Sequence, residues 1–255
     1  SWWTTVIGAA IFGAGMMLTR GCPARLVVLS GSGNLRAWFG LFVIGLSAYA
    51  TFKGLMAETR VEWQQTGALQ FPTESILLLA PSLAWVAIAG VTGVIGVFAF
   101  RHGMNRHLVG GLLVGLLVTG SWSITSVLGA DDFDPMAPVS LSFVAPIGEA
   151  MTYLQLASGL EPTFNVTLIL GVLVGACLSS MVRGEFQWQT FASASDHARY
   201  FLGAMMMGVG GIFALGCNTG QAITGLATGS LWSVLVTLMI FVSGYVMHRR
   251  LQQSN

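Results

Sequence analysis

Residues 8–22 read GAAIFGAGMMLTRGC, and residues 203–217 read GAMMMGVGGIFALGC. At a constant offset of 195, Gly8, Ala9, Gly13, Gly15, Gly21 and Cys22 coincide with Gly203, Ala204, Gly208, Gly210, Gly216 and Cys217. One residue is then gained, and Gly33-Asn34-Leu35 aligns with Gly229-Ser230-Leu231. Each copy is an apolar stretch of about fifteen residues, short of the ~20 that cross a bilayer. Each ends in Gly-Cys, passes through a weakly polar segment, and enters another apolar stretch. A helix that breaks inside apolar sequence is tolerated at membrane depth only where it is buried in protein or lines a cavity.

Composition agrees. Only 8% of the 255 residues are charged and 54% are hydrophobic, with mean hydropathy +0.75. A soluble domain carries about 25% charged residues. Eleven Lys+Arg and ten Asp+Glu cannot cover the surface of a soluble protein this size. That excludes a soluble enzyme, a nucleic-acid binder and a disordered chain. Glycine, at 33 residues, is about twice its usual ~7% share. Apolar stretches run over 4–18, 35–55, 76–100, 108–128, 163–182, 201–215 and 231–247. Residues 139–158 contain Pro146, Glu149 and Gln155, and read as a surface or half-buried helix that does not span. The expected fold class is all-α: a polytopic membrane protein with inverted internal repeats and broken or re-entrant helices. One transport domain is expected over 1–255, with repeat blocks about 4–56 and 199–248. The chain enters its first apolar stretch at Ser1 rather than at a Met, so a preceding N-terminal segment is expected.

Charge placement orients these spans. With Arg249 and Arg250 cytoplasmic, counting back puts 183–199, 101–106 and 20–36 on the same side. Nine of the eleven Lys/Arg then lie inside and only Lys53 and Arg60 outside, as the positive-inside rule requires. The expected location is the bacterial inner membrane, multi-pass, with the C-terminus cytoplasmic. The loop of the first repeat opens inward and that of the second outward. Transporters are often built from such inverted repeats, with the site between discontinuous helices.

The candidate chemistry sits at the two breaks. Cys22 and Cys217 each follow a glycine, and a thiol is a soft, polarizable, weak donor suited to a ligand that presents sulfur. A buried cysteine is also a common small hydrophobe, but the matched position of the pair favours a role. Cys177, within Gly171-Val-Leu-Val-Gly175-Ala-Cys177, reads as packing. Arg20 and Arg25 flank Cys22 and would attract an anion; intramembrane arginine is costly and usually functional. Arg36 reads more readily as an interfacial anchor, and Asn34 supports the same turn. Asn218, Thr219 and Gln221 offer neutral donors after Cys217. Gly21, Gly216 and Gly220 shape the breaks. Gly111/Gly115 and Gly171/Gly175 are GxxxG patterns for close helix approach. Gly13, Gly15, Gly208, Gly210 and Gly211 are expected to pack helices and make room for a substrate path. Met16-Met17 and Met205-Met206-Met207 read as adaptable core. No cysteine–histidine spacing suggests a metal, no histidine pair suits a haem, and no P-loop is present, so no cofactor is expected. The acidic run Asp131–Asp134 reads as a solvated outer loop.

Phe12 through Arg25, followed by Gly33-Asn34-Leu35-Arg36-Ala37, resembles the first conserved block of the YeeE/YedE sulfur-transport family. Gly208 through Leu226 is similar to its C-terminal block, and Gly175-Ala176-Cys177 through Phe186 to a third, weaker one. The resemblance implies uptake of thiosulfate across the inner membrane. Cysteines along a narrowed central path would pass it by S–H···S contacts without a covalent intermediate. Cys22 and Cys217 match two motif cysteines of that family. A third belongs to an Arg-x-x-Phe-Cys context that this chain does not contain. Relatives handle other sulfur or selenium species, so the substrate is less fixed than the class. The rival readings are a membrane-embedded, persulfide-carrying sulfurtransferase subunit that serves a cytoplasmic TusA-type carrier, and a non-transporting scaffold. No base neighbours either cysteine in sequence, which counts against the persulfide.

Overall fold

An apolar helix with glycines along one face can bring its backbone against another backbone, because no Cβ stands between them. That contact organises this molecule. The computed structural model describes residues 1–66, 106–128, 141–159, 161–191 and 193–253, with positions 90, 93, 96, 97, 101 and 139. In chain order the helices are α1 (Trp2–Leu18), α2 (Pro23–Gly31), α3 (Leu35–Phe52), α4 (Ala57–Gln65), α5 (Arg106–Ser123), α6 (Val144–Gln155), α7 (Phe164–Arg183), α8 (Ala194–Phe213) and α9 (Leu231–Gln253). Among the described residues there is no strand, only a single bridge between Asn34 and Gln189. Among the described residues five helical stretches are long and apolar enough to cross a membrane: Trp2–Gly31, which contains the first break, Leu35–Phe52, His107–Ser126, Phe164–Arg183 and Leu231–Gln253.

The chain forms two compact units: Ser1–Gln70 with Ser142–Ala222 and Val234–Asn255, and Phe71–Leu141 with Ile223–Ser233. The second holds α5, which runs into a π-helical turn at Ile124–Leu128, where the Thr125 hydroxyl accepts the Val139 N–H at 3.1 Å.

In the first unit α1 crosses α8 antiparallel. A Cβ placed on Gly8 would lie 2.5 Å from Phe213 Cβ, and one on Gly203 would lie 2.7 Å from Leu18 Cβ. A Cβ on Gly15 would lie 2.6 Å from the Gly203 oxygen, and one on Gly210 would lie 2.7 Å from the Gly8 oxygen. Each contact has a counterpart with the two copies exchanged. That reciprocity is the mark of a two-fold relation. For an antiparallel pair the axis lies across the helices, as an inverted repeat requires. The flanking helices obey it too. Gly13 packs on Ile240 and Ser243 of α9, and Gly208 packs on Ile44 and Ser47 of α3. The expected packing role of Gly13, Gly15, Gly208 and Gly210 is therefore met. The space beside them is filled by neighbouring helices, so it is not a substrate path. Gly211 likewise packs on Val144 of α6.

The backbone of the two breaks matches bond for bond. Arg20 N–H donates to Met17 O and Gly21 N–H to Met16 O, at 3.3 and 3.1 Å. Leu215 N–H donates to Ile212 O and Gly216 N–H to Gly211 O, at 3.2 and 2.9 Å. These are the paired bonds of a Schellman motif, which places one residue in the left-handed region, usually glycine. Here that residue is Arg20 (φ 56°) in one copy and Leu215 (φ 57°) in the other. Left-handed geometry costs an ordinary residue about 1–2 kcal/mol. Leu215 is 59% exposed, so its side chain returns little packing. Leu215→Gly is expected to raise the melting temperature of the detergent-solubilised protein by about 2–4 °C. A fall instead would mean that the leucine side chain holds the break in place.

Elsewhere the structure refines the sequence reading. α6 is twelve residues, about 18 Å, too short to span. It buries Val144, Pro146, Ile147, Gly148 and Ala150, and its Ile147 and Met151 fill the notch left by Gly45 of α3. α4 was not expected. Its Trp63 packs on Trp3 and Phe213, with ring centroids 5.8 and 6.1 Å apart. A Cβ on Gly111, Gly115, Gly171 or Gly175 would have no described atom within 4 Å, so the close approach expected of both GxxxG pairs is absent among the described residues. The expected span at 76–100 and the acidic run at 131–134 lie outside the described residues, apart from isolated positions.

Candidate functional site

At the first break Cys22 is the N-cap of α2, extended at φ −81° and ψ 163°, with Pro23 at the first helical position. Proline suits that position because its missing N–H would have no helical partner there. The Cys22 thiol is half-buried and makes no capping hydrogen bond. Thr19 closes the end of α1: its hydroxyl lies 3.2 Å from Gly15 O and 3.0 Å from Gly21 O. Arg25 reaches back and donates from Nη1 to Arg20 O at 3.2 Å. The Arg20 guanidinium, 74% exposed, lies 3.8 Å from Asp196 of α8. Arg36 binds the other Asp196 oxygen at 3.3 Å and donates from Nε to Thr190 O at 2.7 Å. Asn34 caps α3 by accepting the Ala37 N–H and donates to Gln189 at 2.8 Å. Arg36 and Asn34 thus fasten 32–36 to 187–196, consistent with their placement on one side of the membrane. Arg20 and Arg25 remain exposed at this break, with Asp196 beside Arg20. An ion pair as exposed as Arg20–Asp196 contributes about 0–1 kcal/mol.

The second break is more enclosed. Cys217 is 1% exposed, and its sulfur accepts the Gly220 N–H at 3.4 Å. Ser142 Oγ, from the segment leading into α6, lies 3.9 Å from the same sulfur. Gln221 donates from Nε2 to Ala214 O and Leu215 O, both at 3.1 Å. Its amide nitrogen is therefore committed to the end of α8 rather than free for an anion. The bond to Leu215 O parallels that from Arg25 to Arg20 O in the first copy. Asn218 differs: its buried Oδ1 has no hydrogen-bond partner among the described residues. A buried unpaired amide group costs about 1–3 kcal/mol. Turning that amide over puts an NH2 donor in the same place, where an oxyanion would satisfy it. Thr219 stands beside it, half-buried. Gly216 adopts φ 154°, a conformation open to glycine.

The two breaks do not share one level. Leu18 lies beside Gly203 and Phe213 beside Gly8, so the ends of α1 and α8 are separated by about 15 Å along the crossing. Cys177 lies mid-helix in α7. A Cβ on Gly31 would come 3.1 Å from its backbone nitrogen, so α2 packs on α7 at this position. Met207 is fully buried beside Thr19, as core. Among the described residues no cluster of His, Cys, Asp and Glu could hold a metal ion. Sequence reasoning missed Ser142 as a neighbour of Cys217 and Asp196 as the counter-charge at the first mouth. Ser142 carries no local motif, and Asp196 carries only the helix-start pattern Ser193-Ala-Ser-Asp196, in which Ser193 accepts its N–H; each reaches its partner across a long sequence separation.

Glycine-packed antiparallel helices, broken at matched Gly-Cys positions, define an all-α polytopic membrane protein built on an inverted repeat. Residues 1–246 match the sulphur transport family, and the chain belongs to it. It is similar to the thiosulfate transporter TsuA of Spirochaeta thermophila, 26% identical over 261 residues covering 95% of this chain and 76% of the relative. The Escherichia coli thiosulfate transporter TsuA is 24% identical over 266 residues, covering 94% and 73%. A protein named a probable transporter from Xylella fastidiosa matches more narrowly, 26% identical over 90 residues, covering 35% and 65%.

Proposed function

We propose that this protein carries thiosulfate, a small sulfur-containing dianion, into the cytoplasm across the bacterial inner membrane, and is a transporter rather than an enzyme. The observation that carries this reading is the pair of breaks with matching backbone, each presenting a cysteine directly after glycine. The names of the two long relatives supply the substrate. The C-terminus is cytoplasmic, which puts Arg20, Arg25 and Arg36 on the positive side. An ion entering from outside meets the second break first. Asn218 and Thr219 are neutral there, so they bind oxyanion oxygens without trapping a double charge. Cys217 and then Cys22 offer S–H donors to the terminal sulfur. No covalent bond forms, so thiosulfate is released intact. Arg20 and Arg25 supply the potential that draws it to the inner mouth.

Purified protein in proteoliposomes is expected to accumulate radiolabelled thiosulfate, with unlabelled thiosulfate competing and sulfate competing far more weakly. Equal competition by sulfate would remove the role of the thiols. No uptake in either orientation would remove transport of this ion.

A further inference from the structure

The two cysteines are equivalent in sequence and unequal in surroundings. Cys22 is half-buried and its thiol makes no capping hydrogen bond. Cys217 is enclosed, its sulfur already accepting the Gly220 N–H at 3.4 Å. With that lone pair engaged, the direction of the S–H bond is decided by what else lies near the sulfur. The described neighbour that can fill the other lone pair is the Ser142 hydroxyl, its Oγ at 3.9 Å. The next two residues hold Ser142 in place. Phe143 and Val144 are 7% and 1% exposed, and Val144 packs against Gly211 of α8, six residues before Cys217. The serine therefore stands over the second break on a segment anchored to the helix that ends there.

We propose that Ser142 is a positioning residue for the Cys217 thiol at the outer break: its O–H donates to the sulfur, so that with the Gly220 N–H it occupies both lone pairs and leaves the single S–H directed at the sulfur of the ion. The hydroxyl is half-buried beside a fully buried thiol, where a hydrogen bond is set by geometry rather than by solvent. An ion that presents sulfur then meets a soft S–H donor already aimed at it. A sulfur-free oxyanion offers that donor only hard oxygen. The first break has no counterpart among the described residues. This role of Ser142 rests on the thiosulfate reading proposed above.

The test uses a pair of variants of nearly equal shape, Ser142→Thr and Ser142→Val, in the otherwise unaltered chain in membranes. Methyl methanethiosulfonate modifies Cys217, and mass spectrometry of its peptide reads the extent. Added thiosulfate protects, and its half-protecting concentration is the measured quantity. Ser142→Thr is expected to stay within about twofold of the parent. Ser142→Val is expected to need about two- to twelvefold more thiosulfate, the range given by one hydrogen bond of about 0.5–1.5 kcal/mol. The KM for uptake should move by the same factor. If threonine and valine protect alike while the parent is protected, Ser142 does not position the thiol and the proposal is overturned. If thiosulfate never protects the parent, the thiol contact in the proposed function fails, and this proposal with it. Should the valine variant not accumulate, Ser142→Ala takes its place with the same two outcomes.

Discussion

Gly210→Ala is expected to cost this protein its fold before its transport. The new Cβ would stand 2.6 Å from Phe12 N and 2.7 Å from Gly8 O. Both are backbone atoms of a helix, so neither can turn aside as a side chain does. α1 and α8 must separate along their crossing, and the contacts on either side of it loosen. Over-packing a well-filled interior costs about 1–3 kcal/mol, and a backbone clash belongs at or above the upper end. Against a total stability of about 5–15 kcal/mol that is a large share. The expected result is a lower melting temperature and much less protein in the membrane. The two-fold contacts add a sharper expectation. Gly15→Ala meets Gly203 O and Met206 Cβ at 2.6 and 2.9 Å, the counterpart clash, and should cost a similar amount. Gly15 and Gly210 belong to different ends of the crossing, so their costs should add. Gly8 and Gly210 share one contact, so the second substitution there should cost less than the first. Gly175→Ala is the control. No described atom lies within 4 Å of its Cβ position, and alanine favours a helix over glycine by about 1 kcal/mol. If Gly175→Ala destabilises and Gly210→Ala does not, the glycine contacts are not what holds α1 to α8.

The same glycines show what the sequence could and could not disclose. Matched glycines at 8, 13 and 15 and at 203, 208 and 210 were legible because close helix approach leaves no alternative to a missing Cβ. The GxxxG pairs obeyed the same rule of spacing, yet they face open space among the described residues. Spacing reports that a helix can be approached, not that another helix is there. The left-handed residues at the breaks were hidden for the opposite reason. Glycine is the usual sign of that geometry, and here it stands one position later, at Gly21 and Gly216, while Arg20 and Leu215 bear the strain. α4 was hidden because it is polar and short, and what fixes it is Trp63 against rings far away in the chain. At the site, the cysteines were legible from their repeat position. The commitment of Gln221 to carbonyls at the end of α8 was not, because any glutamine after a helix break looks like a free donor. Ser142 lies 75 residues from Cys217 in a segment with no helical period of its own. Only the tertiary fold brings it there.

Cys217→Ala is expected to abolish thiosulfate uptake, a loss of about tenfold or more, while the protein still folds and reaches the membrane. The substitution removes one atom beyond Cβ, so the packing loss is small beside the clash at Gly210. What is lost is the buried sulfur that Gly220 N–H and Ser142 Oγ surround. Cys217→Ser tests the chemistry separately. It keeps a donor of similar size and replaces a soft sulfur with a hard oxygen, and uptake should not return. If serine supports full uptake, hydrogen bonding alone suffices and sulfur recognition is not what the site does. Cys22→Ala is also expected to lower uptake strongly, but the two thiols should differ in their reaction with alkylating reagents. Cys22 is half-buried and uncapped, so it should be modified first, and Cys217, 1% exposed, much later. Cys177→Ala is expected to leave uptake within about twofold, because its helix uses that position to receive Gly31. If Cys177 alone proved essential, the repeat symmetry would have pointed to the wrong pair. The symmetric breaks would then be hinges of the fold, and the sulfur path would run along α7 instead.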